Sequence, residues 1–291
     1  TISKSAALSN VTAIAHAAMS AFVNQHYRTA FPNAKLRTAA QAVTNKWLTE
    51  PTTFSPEVYR LYACARLGIL PVNANRQPRT NNPRRNCLHC SVLETPTHIY
   101  SSCPRYMNQR RKRHDNAITA ALPHLKSATA TATQGLSTWI RERSLSRLLP
   151  VSASDGTTRS PPNQSPDPST VDHSLLRPDL YHLDHHRRVV TPVEFTVPDD
   201  ANIAESVDRK HQKYGPWLRA HPVANVIRLD PTIAQSQGWT IGPLLVIAVG
   251  ICGTIPHSTI TSLQHLGCSV VDSHRTLDAM LLAVADTNLL I

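Results

Sequence analysis

"RPDLYHLDHHRRVVTPVEFTVPDDANIAESVDRKHQKY", residues 177–214, is the stretch on which the reading of the fold turns. It divides into two extended runs, "LRPDLYHL" and "RRVVTPVEFTV", joined by a polar turn at "DHH". A helix follows from Asp199 or Asp200, a residue type that favours the N-cap. Fourteen residues separate Asp179 from Glu194, so a hairpin brings both carboxylates to one edge. Two converging carboxylates are what Mg²⁺ needs for near-octahedral oxygen coordination, leaving positions for water and a phosphate oxygen. With the helix placed from Ile203, its apolar stripe is Ile203, Val207, Tyr214, Trp217 and Leu218. Lys210 falls within about 20° of the centre of that stripe, and Lys213 lies about 80° from Ile203, at its margin. A lysine turned toward a sheet either snorkels out or meets carboxylates, a phosphate or an attacking water. Glu205 and Arg209 face outward as an i, i+4 pair.

Downstream, "VANVIRLD" and "GPLLVIAVGICG" read as buried strands, "TITSLQHLGC" as a helix closed by Gly267, and "RTLDAMLLAVADTNLL" as a last helix. Strands alternating with helices make an α/β layered core across 175–291. Upstream, residues 151–174 are dominated by Ser, Thr, Pro and Asp and form a flexible linker, because such a composition does not repay the entropy of ordering. Before it the chain reads as helical. Residues 4–49 carry apolar positions at Ile14, Met19, Phe22 and Val23 and a second start at Pro32 and Asn33. In "TFSPEVYRLYACARLGIL", Ser55 fits the N-cap and Pro56 the first helical position, with Val58, Leu61, Cys64 and Leu67 or Gly68 ending the run. Cys64 reads as core packing. "RYMNQRRKRHDNAITAALPHL" is a basic helix that turns apolar at Ile118, Ala121 and Leu122, with His114 and Asp115 as a surface or capping pair. "LSTWIRERSLSRLL" reads as a further helix, with Trp139, Ile140, Leu145 and Leu148 or Leu149 on one side. No repeat of 20 to 50 residues is visible.

Residues 87–103, "CLHCSVLETPTHIYSSC", place Cys87, Cys90, His98 and Cys103 at the spacing C-x2-C-x7-H-x4-C. A first pair biting from a tight turn and a second from a turn or a helix start make a tetrahedral thiolate and imidazole site for Zn²⁺. The chain of 291 residues has a formal net charge of +11 and a pI near 9.7, which point to a polyanionic partner. From Arg76 to Arg113 nine Lys or Arg (76, 79, 84, 85, 105, 110, 111, 112 and 113) stand against one acid, Glu94, so the excess charge surrounds the knuckle. Such a turn neutralises phosphates and favours nucleic acid over a membrane surface.

Together, Cys87, Cys90, His98 and Cys103, "RRKRHD" at 110–115, "RPD" at 177–179, "VEFTVP" at 193–198 and "KHQKY" at 210–214 resemble the C-terminal region of R2-type, site-specific non-LTR retrotransposon proteins. In that family a helical linker and a CCHC zinc knuckle precede a restriction-like endonuclease of the PD-(D/E)xK superfamily. The resemblance implies a helical linker at 1–84, the knuckle at 85–104, a basic helical segment at 105–150 and the endonuclease at 175–291. It implies a Mg²⁺- or Mn²⁺-dependent nick in target DNA that primes reverse transcription in the nucleus, with element RNA as a further partner. Asp179 and Glu194 are then the metal ligands. Lys210 orients or activates water and offsets charge on the scissile phosphate, and Lys213 and Tyr214 shape that helix face. Arg84, Arg85, Arg105, Arg110, Arg111, Lys112 and Arg113 are the expected nucleic-acid contacts.

Two departures stand out. The second acid is Glu where many relatives have Asp, and Thr196 occupies the lysine position of E-x-K, a lysine the family commonly supplies from the following helix. Polymerase motifs are missing, because "VPDD" at 197–200 lacks the aromatic two positions before it, so polymerisation is expected upstream of Thr1 in a longer polypeptide. The alternatives are an endonuclease-like scaffold that has lost catalysis, as in the core protein of the spliceosome, or a module that binds nucleic acid through the knuckle alone. His182, Asp184, His185 and His186 offer a second metal site, but a polar hairpin tip is the preferred reading. Walker A, G-x-S-x-G and H-E-x-x-H are absent. Six scattered cysteines argue for a reducing compartment, and "TISKSAALSN" lacks the basic and apolar regions of a secretory leader. The longest apolar run, Leu244 to Cys252, is too short to span a bilayer.

Overall fold

Strand β3, Val189–Thr196, organises the structure because neighbours pair along both of its edges and pack on both of its faces. The computed structural model describes residues 54–66, 70–76, 85–143, 145–148, 176–224, 226–233 and 238–291. The helices expected across 4–49, the end at Leu67 or Gly68, Arg79, Arg84, Leu149 and the 151–174 linker lie outside these residues. So does most of the expected 1–84 segment.

Along one edge, β2 (Leu180–Asp184) runs antiparallel to β3, and β1 (Ser137–Arg141) runs antiparallel to β2. The other edge of β3 is shared by two parallel strands. The short β5 (Trp239–Ile241) takes Val189 and Val190, and β6 (Leu245–Ala248) takes Val193 to Thr196. The two-residue β4 (Val223–Ala224) closes the far side against β5. The fold is therefore α/β with a mixed sheet.

The α-helices among the described residues are α1 (Pro56–Arg66), the short α2 (Asn73–Arg76), α3 (Met107–Ala132), α4 (Ile203–Ala220), α5 (His257–His265) and α6 (Val270–Asn288). Leu180, Val193, Phe195, Leu245 and Ile247 face one core with Ala117, Ile118, Ala121 and Leu125 of α3 and Leu277, Met280, Leu281 and Val284 of α6. The alanines at 117 and 121 keep that face of α3 low, which lets α6 approach closely. Tyr62 of α1 ties in by donating its hydroxyl to Leu281 O at 3.1 Å. Opposite-pointing Tyr181, Leu183, Val190 and Val246 pack under Tyr214 and Trp217 of α4. This alternation is what puts Glu194 on the α4 side.

Several local expectations are corrected by tertiary contacts. The described residues of "LSTWIRERSLSRLL" do not form the expected helix. Gln134 and Gly135 take positive φ (53° and 81°) and reverse the chain after α3, and Ser137–Arg141 then pairs with β2. Trp139 donates its indole N–H to Thr129 Oγ1 at 3.0 Å, and a 3₁₀ turn at Leu145–Leu148 buries Leu148. Among the described residues of "VANVIRLD", Val223 and Ala224 pair and a 3₁₀ turn follows at Val226–Arg228. The strand in "GPLLVIAVGICG" ends at Ala248, because the Asp200 carboxylate captures the amides of Cys252 (2.7 Å) and Thr254 (3.1 Å). A Cβ at Gly250 would lie 2.6 Å from that carboxylate, so glycine is required there. The last helix starts earlier than expected, at Val270, with Ser269 as its N-cap. Ser55 accepts from Val58 N at 3.3 Å and Asp199 from Ala201 N at 3.0 Å, as their caps require. The segment 105–150 contributes α3 and β1 to the same core and sheet as the distal strands.

His182, on β2, is 5% exposed and packs against Trp139 with ring centroids 4.8 Å apart and the planes tilted by 38°. Burial pushes its imidazole down to about 4, with Asp184 pulling upward and His185 adding to the depression. The unfolded chain therefore takes up this proton first, near pH 6.5, and the penalty on the fold grows until the pH falls below about 4. That window is worth about 3 kcal/mol. His182→Phe is expected to lose less stability than the parent between pH 7 and pH 4, read from urea unfolding at both pH values.

Candidate functional site

The antiparallel register pairs Leu180 with Val193, so Asp179 and Glu194 stand opposite each other one step further along the hairpin. Asp179 N donates to Glu194 Oε2 at 3.2 Å, and Phe195 N donates to Asp179 Oδ2 at 2.7 Å. Asp179 lies where β2 begins and keeps part of its carboxylate in solvent. Glu194 is 2% exposed. Burial raises its pKa and the charge of Asp179 raises it further, while Lys210 opposes both.

Lys210 does face the sheet. Its Nζ donates to Glu194 Oε1 in a direct ion pair. Tyr214, one turn on, places its hydroxyl 3.0 Å from Arg177 O and 3.4 Å from Glu194 Oε1. Burial and the Glu194 and Asp179 charges raise the Tyr214 pKa, so the phenol stays a neutral donor. Lys213 donates to the same hydroxyl at 3.2 Å and sits 4.7 Å from the ring centroid. The expected Glu205–Arg209 pair is replaced by Arg209 donating to Ser206 Oγ at 3.0 Å, because Ser206 lies one turn back on the same face.

His114 joins this group from α3. Its Nε2 lies 3.4 Å from Asp179 Oδ2 and 3.3 Å from Phe195 O, and its Nδ1 lies 3.3 Å from Asp115 Oδ1. Burial disfavours the imidazolium, but the Asp179 carboxylate, with Asp115 and Phe195 O, outweighs it and lifts the pKa to about 9. The surface-pair reading therefore holds for Asp115 alone, which is exposed. The missed signal was helical periodicity. His114 precedes Ala117, Ile118 and Ala121 on the buried stripe of α3, so its side chain is directed at the sheet.

The four knuckle residues also converge. Cys87 N donates to Val92 O at 2.7 Å and Ser91 takes φ 57°, making the tight turn that holds Cys87 and Cys90. A π-helical turn, His98–Ser102, ends with Cys103 N donating to His98 O at 2.7 Å. The candidate ligand atoms of Cys87, Cys90, His98 and Cys103 all lie within 4.8 Å of one another. Cys87 Sγ and Cys103 Sγ are 3.8 Å apart, and Cys90 Sγ is 3.0 Å from His98 Nε2. A tetrahedron with Zn–S bonds of about 2.3 Å has an S···S edge of about 3.8 Å. Ser102 Oγ, 3.4 Å from Nδ1, leaves Nε2 as the ligand nitrogen. The cluster could thus bind a metal such as zinc. Cys64 packs beside the Leu70, Val72 and Ile99 core beneath it and is outside the ligand set.

The basic residues separate into two kinds. Arg105, Arg111 and Lys112 are exposed and Arg85 is half-buried. Arg113, expected on a nucleic acid backbone, is 3% exposed and donates to Asn288 Oδ1 (2.8 Å), Tyr100 O (3.0 Å) and Val197 O (3.5 Å). It falls on the buried stripe of α3, and its role is to tie the knuckle to α6 and to the end of β3. Arg110 reaches back to Cys103 O. A cleft of about 430 Å³ and another of about 460 Å³ flank His114, both lined by Arg110. The histidines of "YHLDHHRR" do not converge. Asp184 accepts from Arg187 N at 2.9 Å, His185 lies 2.8 Å from Thr138 Oγ1, and His182 packs against Trp139 in the interior. The polar-tip reading fits this turn. No helix among the described residues is long and apolar enough to cross a membrane.

Comparison with protein families and with curated proteins gives no match for this chain.

Two outcomes are expected here. The purified chain should carry one zinc ion by metal analysis; Cys103→Ser should lose it, and Cys64→Ser should keep it. Lys210→Met strands a buried carboxylate and should cost on the order of 3 kcal/mol in denaturant unfolding. Adding Glu194→Gln to that variant should restore most of the loss.

Proposed function

We propose that this chain is a metal-dependent DNA endonuclease of the restriction-like, PD-(D/E)xK kind, acting as the nicking part of a non-LTR retrotransposon protein. The single observation that carries the reading is the meeting of Asp179, Glu194 and Lys210 at one strand end, from three separate elements. The net charge of +11 and the cysteine–histidine cluster fit a protein that works on nucleic acid.

Asp179 and Glu194 would hold Mg²⁺ or Mn²⁺, both offering carboxylate oxygens at the mouth of the hairpin. When bound, the cation supplies positive charge to a phosphodiester as negative charge develops on it. Lys210 adds a second positive charge and orients the attacking water once it exchanges part of its contact with Glu194 for the substrate. Tyr214 holds the Glu194 side chain from the helix side. His114 fixes the rotamer of Asp179 and so acts as a positioning residue. Asp200, bound to the Cys252–Thr254 turn, takes no part in this chemistry.

One observation favours a scaffold without catalysis. Both carboxylates are already satisfied by protein donors, Asp179 by Phe195 N and His114, and Glu194 by Lys210. A cation has to compete with these contacts.

Nicking of supercoiled plasmid with Mg²⁺ or Mn²⁺ separates the readings. Asp179→Ala, Glu194→Ala and Lys210→Ala are each expected to abolish nicking while retaining DNA binding. His114→Ala should lower kcat about 10- to 100-fold with little change in KM. His114→Gln, which keeps a donor, should recover part of that loss. Equal nicking by the parent and by Asp179→Ala would remove the catalytic assignment, and binding without nicking in either metal would favour the scaffold.

A further inference from the structure

Strand β1 stops where it draws level with Asp179. Arg141 is its last residue in register, opposite Leu180, and Glu142 N still donates to Asp179 O at 3.0 Å. Glu142 then takes a positive φ of 48°, which breaks the strand. The backbone of the next residue, Arg143, lies on the α4 side of the sheet. Its carbonyl accepts the Tyr181 hydroxyl at 2.9 Å, and Tyr181 packs with Tyr214 and Trp217 of α4. Burial, with Tyr214 and the Glu194 charge close by, raises the Tyr181 pKa, so this phenol stays a neutral donor.

A second fully buried tyrosine acts in the same way from α4. The Tyr214 hydroxyl lies 3.0 Å from Arg177 O and 3.4 Å from Glu194 Oε1, and Lys213 Nζ stands 3.2 Å from it. Arg143 and Lys213 are both exposed. One side of the hairpin mouth therefore carries two solvated cations, with the Arg143 backbone and the Lys213 ammonium each held by a buried phenol.

The charge balance indicates what these cations serve. The mouth holds two carboxylates against Lys210, so a phosphodiester brought to it meets like charge. Cations on the rim offset that repulsion if no acid already neutralises them. Glu142 adjoins Arg143 in sequence, but its carboxylate is engaged by Arg141 Nε at 3.2 Å and lines the cleft with Arg110, Arg111 and His114 of α3. Among the described residues no carboxylate forms an ion pair with Arg143 or Lys213. The exposed basic residues Arg105, Arg111 and Lys112 lie on α3 or just before it, and α3 packs on the opposite face of the sheet from α4. They leave the α4 side of the mouth to other donors.

We propose that Arg143 and Lys213 clamp the DNA backbone on the α4 side of the hairpin mouth, at a phosphate flanking the one presented to Asp179 and Glu194. The clamp rests on the endonuclease reading for the identity of the polyanion and of the phosphate that is cut. A guanidinium supplies a two-pronged donor to phosphate oxygens, and the ammonium supplies a point charge beside it. Both residues bind the strand and take no part in breaking the P–O bond.

The test is binding of the whole chain to a short fluorescein-labelled DNA duplex, followed by anisotropy over a range of salt. Arg143→Gln and Lys213→Gln should each lower the slope of log affinity against log salt by about 0.9, one phosphate's worth for duplex DNA. Arg143→Lys should keep the slope, and so should Arg275→Gln, a change at an exposed arginine of α6. In the nicking assay both glutamine variants should raise KM several-fold with kcat little changed, the pattern of an interaction made equally before and during reaction. An unchanged slope in both variants overturns the clamp, whether or not the chain nicks. An equal loss in Arg275→Gln also overturns it, because the attraction is then diffuse. A fall in kcat with KM unmoved overturns the flanking position and puts the two residues in the chemical step. Slopes that fall in a chain that never nicks support the clamp and count against the endonuclease reading instead.

Discussion

A carboxylate buried in the middle of a sheet has to meet a cation, and in this chain that requirement sets the position of α4. Strand β3 is covered on both faces, and Glu194 is 2% exposed within it. An ionised carboxylate at that depth is costly unless paired and hydrogen-bonded. The Lys210 ammonium and the Tyr214 hydroxyl fill this need from successive turns of α4, which fixes the rotation of the helix over the sheet. Trp217 continues the same face into the core. The polar group that opposes folding thus helps to specify one docking of α4.

A second set of polar contacts joins the knuckle to this layer. Arg113 bridges Tyr100, Val197 and Asn288, and Thr97 donates to Asp199 at 2.9 Å just before α4 begins. His114 extends the link to Asp179. These contacts run from the cysteine–histidine turn through the start of α3 to the end of the hairpin. A change in the knuckle is therefore separated from the carboxylates by few intermediates, which suits the proposed coupling of nucleic-acid binding to chemistry at the hairpin.

The hairpin, the acidic pair and the inward Lys210 were legible because they are local. A period of two gives β2 and β3, a period of 3.6 gives α4, and the turn length sets which residues face each other. The knuckle was legible for the same reason, since its ligands lie within 17 residues of sequence. Residues 137–141 were misread, because Trp139 and Ile140 fit an amphipathic helix as well as a strand, and pairing with β2 decided between them. Arg113 was misread because a run of basic residues looks uniformly solvated until the stripe Arg113, Ala117, Ile118 and Ala121 is seen to be buried.

By itself, then, the sequence determined the elements whose geometry is set within a turn or a hairpin: the cysteine–histidine spacing, the opposed Asp179 and Glu194, and the helix that carries Lys210. Tertiary structure decided which basic residue of the α3 stripe became a buried tie, which carboxylate His114 would meet, and that β5 and β6 would divide one edge of β3. The physical reason is range. Hydrogen bonds within a turn and side-chain periodicity act between near neighbours, whereas the desolvation of Arg113 and His114 depends on α6, β3 and the knuckle packing around α3, and those partners lie up to 175 residues away.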